Sequence, residues 1–412
     1  MNRKEQKTAL VVVLDAVGLE TLEYLLKTHR KEVPLPNLAR LGLGALLSGD
    51  LGRRIGPGGR GGCALRLEQA SASADSVIGH REMVGVLDDR TYELFPEGFS
   101  ADYIRALESR IGRKTMFNRM AGGMEAIELN ADEHARTGRP IVYASKCDPL
   151  IQLAMDEAVI PVAEQHRIAD AAFALAREMG IQVTRAIARA YARKGGELVR
   201  TPNRHDAVLP LESRTLVDIL YGREVWTAAV GKTSELVNTA YHEKIKLTSQ
   251  AFLDPGLGLE FVHPKRKDTN PFMVQGTVNA LRASKALYRP NGTFVFSNLV
   301  DTDSLYGHTK DVDGALRSIE AVDRAIPVLE GCLEDGDLMI LTADHGMAHR
   351  PDYGYHNKEA LPLLAERIGR GPDMDGLRLG RGKTLAEVGH LVAQFFGCAD
   401  EFRACPGLKT YF

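Results

Sequence analysis

The chain has 412 residues, 44% of them hydrophobic and 26% charged, which is enough apolar material for ordinary cores and, at roughly 150 residues per domain, a length for two or three of them. Its net charge of -2 gives no basic excess of the kind that binding to a phosphate backbone requires, so no nucleic acid partner is expected. The five cysteines (Cys63, Cys147, Cys332, Cys398, Cys405) are odd in number and show no CxxC spacing; this argues against a disulfide framework and a thiolate zinc site, and the cytoplasm is the expected compartment.

Arg3, Lys4 and Lys7 precede an apolar run over residues 9–14, but Asp15 ends that run far short of a secretion signal. The run predicts a first core strand, too uniformly apolar for a half-exposed one, and no membrane segment. A short Leu/Gly-rich segment follows Pro36 and Asn37, and residues 49–62, with seven glycines among basic residues, predict a loop. A helix start is expected at Asp75-Ser76, with Ser73 or Asp75 as its cap. From about residue 95 the character changes. Residues 130–137 are polar, 140–143 strand-like, 168–179 alanine-rich and helical with Gly180 closing the helix, and 183–187 a further strand leading into a basic loop at Arg193-Lys194-Gly195-Gly196. Residues 95–212 therefore predict a domain inserted into a core of 1–94 and 213–412. The core resumes with a buried-strand pattern over 225–230, and apolar residues at the three-and-four spacing of one helix face over 312–329 predict a packing helix.

Two further runs carry chemistry. Asp301-Thr302-Asp303-Ser304-Leu305-Tyr306-Gly307-His308 follows a β-rich stretch at 293–299, and Thr342-Ala343-Asp344-His345-Gly346 follows another at 338–341, with His356 beyond it. Asp15, Lys232, Asp301, Asp303 and Asp344-His345 all stand just after apolar runs, where parallel strands of an α/β sheet would present them at one carboxyl edge. Hard oxygen and borderline nitrogen ligands together suit Mn²⁺, Zn²⁺ or Mg²⁺, and a carboxylate-histidine pair in each run points to more than one ion. Asp303 and His308 lie five apart, which does not share an α-helical face, so a loop or helix-entry geometry is needed to join them. His349 and His356 compete for a remaining ligand position, and spacing does not choose between them. Ser76, a hydroxyl at a helix N-terminus, is the candidate nucleophile. Arg185, Arg189, Arg200, Arg204 and Lys232 are candidate phosphate clamps.

These residues resemble phosphopentomutase, of the alkaline phosphatase superfamily, along nearly the whole chain. The resemblance is carried by residues 12–18, Pro36-Asn37-Leu38, Gly79-His80-Arg81-Glu82, residues 138–143, Thr201-Pro202-Asn203-Arg204-His205-Asp206, Asn298-Leu299-Val300-Asp301, Tyr306-Gly307-His308, residues 342–346, and His356 with Glu359 and Pro362-Leu363-Leu364. It implies an alkaline-phosphatase-like α/β core with a mostly parallel sheet and an inserted α+β cap. It selects His356 over His349, through the family's His-x-x-Glu run. It also implies two divalent ions, usually manganese, one held by Asp15, Ser76, Asp344 and His345 and the other by Asp303, His308 and His356. Arg185, Arg200 and Lys232 would hold phosphate and Asp148 would read the sugar. The implied activity moves phosphate between C1 and C5 of ribose, deoxyribose or a related pentose through a bisphosphate, with a sugar bisphosphate as activator and a closing cap that keeps water from the phosphoenzyme.

Three departures stand out. Ser73-Ala74-Asp75-Ser76 replaces the family's Gly-Lys-Asp-Thr, although Ser76-Val77-Ile78-Gly79-His80 is similar to the Ser-Glu-Val-Gly-His run of cofactor-independent phosphoglycerate mutase. Arg81 replaces a tryptophan. The loop Ala144-Ser145-Lys146-Cys147-Asp148-Pro149 is one residue longer and gains Lys146. The changes around Ser76 leave a metal-dependent sugar-phosphate phosphatase of the same architecture as the alternative reading.

Overall fold

A computed structural model describes residues 6–29, 32–56, 61–146, 148–246, 251–347, 356–374 and 376–412. Arg3, Lys4, Cys147 and His349 lie outside the described residues. The chain divides into two compact units, Met1–Asp89 with Leu211–Phe412, and Arg90–Pro210.

The discontinuous unit is built on a seven-stranded sheet in the order Glu243–Ile245, Trp226–Val230, Thr293–Leu299, Thr8–Leu14, Leu338–Thr342, Leu361–Arg367, Cys63–Leu67. Neighbours are parallel from the first of these through Leu338–Thr342; Leu361–Arg367 runs antiparallel to both of its neighbours. Thr8–Leu14, Thr293–Leu299 and Leu338–Thr342 are buried at every position, which is why they are mostly apolar rather than alternating, with Thr8, Thr293, Ser297, Asn298 and Thr342 the exceptions: helices cover both faces. The ring of Phe296 meets that of His80, in helix Ser76–Met83, at 5.6 Å between centroids. The next residue points the opposite way, and Ser297 Oγ lies 2.8 Å from Thr277 Oγ1 of helix Asn270–Ala286.

The inserted unit carries a mixed six-stranded sheet. Met116–Met120, Ile141–Ala144, Leu150–Asp156, Arg185–Lys194 and Glu197–Arg200 follow one another in space, and His205–Val208 also pairs with Arg185–Lys194. Alternating side chains feed two separate apolar clusters. Val142, Ile151 and Leu153 join Tyr103 and Phe173 on one face, while Ile141, Tyr143, Ala154 and Tyr191 join Ile127 on the other.

Several local expectations change. Within the glycine-rich stretch 49–62, Leu51–Arg54 forms one helical turn because Leu51 is buried against the core. The helix expected over 168–179 begins earlier, at Val162 after Pro161, and ends at Glu178, with Gly180 at φ +71° beyond it. The polar stretch 130–137 is the second half of a helix, Gly123–Thr137. Arg193 and Lys194 belong to a ten-residue strand, and only Gly195 and Gly196 make the turn to Glu197–Arg200. Among the described residues no helix is long and apolar enough to cross a membrane.

Candidate metal centre

The sheet register sets the site. Leu14 pairs with Leu299, Val13 with Thr342, and Ser297 with Val230, so four parallel strands end almost level and their following residues share one edge. Asp15 follows the first strand directly, its N–H donating to the Leu299 carbonyl at 3.0 Å. The chain then turns at Ala16, buried at φ +62°, a left-handed conformation costing an L-residue roughly 1–2 kcal/mol. That turn aims the Ala16 N–H at Asp344 Oδ1, 3.1 Å away.

Ser76 is the first residue of helix Ser76–Met83, whose N-cap Asp75 accepts from Val77 N at 2.8 Å. The Ser76 hydroxyl is buried, 3.4 Å from Asp15 Oδ1 and 3.2 Å from His345 Nε2. His345 Nδ1 faces the Gly346 carbonyl at 3.0 Å; a carbonyl only accepts, so this nitrogen carries a proton and Nε2 is the atom turned to Ser76 and to Asp15 Oδ1, 3.3 Å away. Close backbone packing fixes the relation of the helix to the strand end, because a Cβ at Gly79 would collide with the Asp344 carbonyl. His80, present in the sequence only as part of a motif, has a role in this arrangement: its Nδ1 lies 2.8 Å from the Ser76 carbonyl and 3.3 Å from Asp344 Oδ2.

Asp303 and His308 meet through a turn that α-helical spacing does not describe. Thr302–Gly307 is π-helical, with His308 N donating to the Asp303 carbonyl at 3.1 Å, an i to i+5 bond. In that geometry residues five apart stack on one face, and His308 Nε2 comes to 3.6 Å from Asp303 Oδ1. His356 Nε2 lies 3.1 Å from the same oxygen, its ring stacked on His345 at 3.9 Å. His356 reaches this position through a two-residue antiparallel pairing of His356–Asn357 with Gly346–Met347. Asp301 is not part of the cluster. Its carboxylate accepts from Thr269 N, Thr269 Oγ1 and Asn270 N, and so closes the start of helix Asn270–Ala286.

Electrostatics show the strain of gathering these groups. Burial, then the charges of Asp344 and Asp303, push the Asp15 carboxyl above its usual range. Burial opposes charge on His345 as well, but Asp344, Asp15 and Asp303 outweigh it and hold the ring protonated well above the ordinary imidazole range. Asp303 is held well below the usual carboxylate range: burial raises it, and His308 and His356 more than compensate. Lys232, after its own strand end, is close enough to favour the charged forms of Asp15 and Asp303. Asp15 Oδ2 is buried with no hydrogen-bond donor among the described residues, an arrangement that a cation relieves. Candidate ligand atoms of Asp15, Asp344 and His345 lie within 4.8 Å of one another, as do those of Asp303, His345 and His356. Oxygen and imidazole donors in this ratio fit Mn²⁺, Zn²⁺ or Mg²⁺.

In the inserted unit, Arg185 lies 3.7 Å from Asp148, whose Oδ2 accepts from Ser145 Oγ at 3.0 Å. Arg189 donates to Gln152 Oε1 at 3.1 Å, and burial with the nearby Arg204 and Arg200 lowers its guanidinium to about 9. Arg204 is paired with Asp206.

A family model described as the Metalloenzyme superfamily matches residues 256–400. The phosphopentomutase of Desulfitobacterium hafniense is 31% identical over 415 residues, covering 96% of this chain and 97% of that protein. That of Dictyoglomus turgidum is 32% identical over 405 residues, covering 95% and 94%. Phosphoglycerate mutase of Leishmania mexicana, a solved structure, aligns over 96% of each chain at 12% identity with a TM-score of 0.44, a likeness too loose to bear on any assignment. At this identity, sustained from end to end, the chain belongs to the phosphopentomutase family.

Proposed function

We propose that the chain is a phosphopentomutase-like phosphotransferase that moves phosphate between C1 and C5 of ribose, deoxyribose or a related pentose, through a phosphoserine at Ser76 and a sugar bisphosphate. The observation that carries this reading is the Ser76 hydroxyl, 3.4 Å from Asp15 and 3.2 Å from His345 at the start of a helix. Asp15, Ser76, Asp344 and His345 would hold one divalent ion and Asp303, His308 and His356 a second, manganese being the first choice. Such ions neutralise a transferring phosphoryl group and ease deprotonation of the serine.

The chain's own residues account for the rest. The phosphorylated Ser76 passes its group to the free hydroxyl of a pentose monophosphate: the bond from Ser76 Oγ to phosphorus breaks as the bond from phosphorus to the sugar oxygen forms, the sugar proton ends on Ser76 Oγ, and the product is the sugar bisphosphate. The backbone N–H groups at the start of helix Ser76–Met83 favour the anionic oxygens. In the second half of the cycle Ser76 Oγ takes the other phosphate of that bisphosphate, the bond from phosphorus to the sugar oxygen breaking and the serine proton ending on the departing oxygen, which restores the phosphoserine and releases the isomerised monophosphate. Lys232 would counter phosphate charge beside Asp15 and Asp303. The inserted unit, Arg90–Pro210, would act as the cap, with Arg185 and Arg200 on phosphate and Asp148 on the sugar.

The test is incubation of the manganese-loaded protein with ribose 5-phosphate and ribose 1,5-bisphosphate, followed by phosphopeptide mapping. Phosphate on Ser76 and isomerised sugar phosphate are expected, and Ser76→Ala should lower transfer by roughly 10³-fold or more. Free phosphate as the main product would favour a phosphatase, and full activity in Ser76→Ala would end the assignment.

A further inference from the structure

Glu359 is nine-tenths buried, yet it lies outside the group of candidate ligands. Its carboxylate sits between two glycines that belong to different arms of the site. A Cβ at Gly18, three residues after Asp15, would collide with Oε1, and a Cβ at Gly346, next to His345, would collide with Oε2. Thr21 N donates to Oε1 at 2.8 Å, and Oε2 accepts from Thr21 Oγ1 at 3.1 Å and Asn357 Nδ2 at 2.9 Å. Thr21 extends the connection, because its hydroxyl lies 2.7 Å from both N and O of Met347. One carboxylate thus ties together three segments: the turn after Asp15 leading into helix Leu19–His29, the strand beginning at Gly346 after Asp344 and His345, and Asn357 beside His356.

We propose that Glu359 is a positioning residue of the metal centre, setting the separation of the segments that carry Asp15, Asp344 with His345, and His356. This inference rests on the metal-centre reading above. The physical reason is that coordination is sensitive to displacements of a few tenths of an ångström, while beyond the strand ends these segments are otherwise joined by a few bonds: Ala16 N to Asp344 Oδ1, Leu19 N to the Ala360 carbonyl, and the two-residue pairing of Gly346–Met347 with His356–Asn357. A partner that holds first ligands in place typically carries 10- to 100-fold of metal affinity. Asn357 also offers the position tolerance to a neutral replacement, since its Oδ1 is buried without a hydrogen-bond partner among the described residues. A glutamine at 359 can accept from Thr21 N and, with the Asn357 amide turned over so that Oδ1 replaces Nδ2 at this contact, donate its own amide to Asn357.

The experiment is Mn²⁺ titration of the full chain by calorimetry, together with Mn²⁺ EPR of the loaded protein, for wild type, Glu359→Ala, Glu359→Gln and Thr21→Val. Glu359→Ala is expected to weaken Mn²⁺ binding by about 10- to 100-fold and to alter the coupling between ions seen by EPR. Thr21→Val, which keeps the side-chain shape and removes the bridging hydroxyl, should shift both readouts in the same direction and carries the test if Glu359→Ala does not fold. Glu359→Gln should remain near wild type in both. Wild-type affinity and spectrum in Glu359→Ala or Thr21→Val would overturn the inference alone, as would equal loss in the alanine and glutamine variants. A wild-type protein that takes up no divalent ion would overturn the metal centre and this inference with it.

Discussion

Buried titratable side chains in this protein are accommodated in different ways. Glu82, fully buried, is met by Ala70 N, Ser71 N, Leu385 N and Thr384 Oγ1, each at 2.8 Å. His390 has much less: Gln394 Nε2 at 3.3 Å and the ring of Phe412 at 4.1 Å. Burial, reinforced by the charge of Arg403, lowers its imidazole from 6.5 to about 4. Between those two values the unfolded chain holds a proton that the folded chain does not, so stability is lost as pH falls from 6.5 towards 4, by at most about 3 kcal/mol. Urea unfolding of wild type and His390→Phe across this interval should show a shallower dependence on pH in the variant, by close to one proton. Parallel curves would show that the ring titrates normally in the folded protein.

Secondary-structure elements were legible in proportion to how uniformly they are buried. Thr8–Leu14, Trp226–Val230 and Leu338–Thr342 stand out because strands covered on both faces admit little but apolar side chains. Helix Gly123–Thr137 was harder to see, since it buries only Ala126, Ile127, Ala131 and His134 and exposes Leu129, leaving a weak apolar stripe. The turn at Thr302–Gly307 escaped for a different reason: a period of 3.6 residues separates Asp303 from His308, and only a π-helical turn brings them together. Strand-end carboxylates were legible as a set, but their division of labour was not. Asp301 and Asp303 are two residues apart, and one holds a helix while the other joins the site, a distinction that depends on Thr269 and Asn270 packing from elsewhere in the chain. Asp301→Ala is therefore expected to destabilise the fold by about 2–3 kcal/mol through loss of the helix start, measured by urea denaturation. A change below about 0.5 kcal/mol would show that water replaces the carboxylate as a cap.

Residues from Asp15 to His356 meet in one unit because parallel strands distant in sequence end at one edge. The candidate phosphate and sugar contacts Arg185, Arg200 and Asp148 belong instead to the inserted unit. Chemistry and recognition should then respond separately to mutation. Arg200→Ala is expected to raise KM for ribose 5-phosphate by roughly tenfold or more, the usual cost of a charge-assisted phosphate contact, with Mn²⁺ affinity unchanged; an unchanged KM would remove Arg200 from the binding residues. The central claim is that three buried carboxylates and three imidazoles surround a pair of cations beside one serine. Anomalous diffraction at the manganese edge from crystals grown with Mn²⁺ tests it most directly. Two peaks roughly 4 Å apart are predicted, one in contact with Asp15, Ser76, Asp344 and His345 and the other with Asp303, His308 and His356. A map without manganese at these side chains would contradict the account.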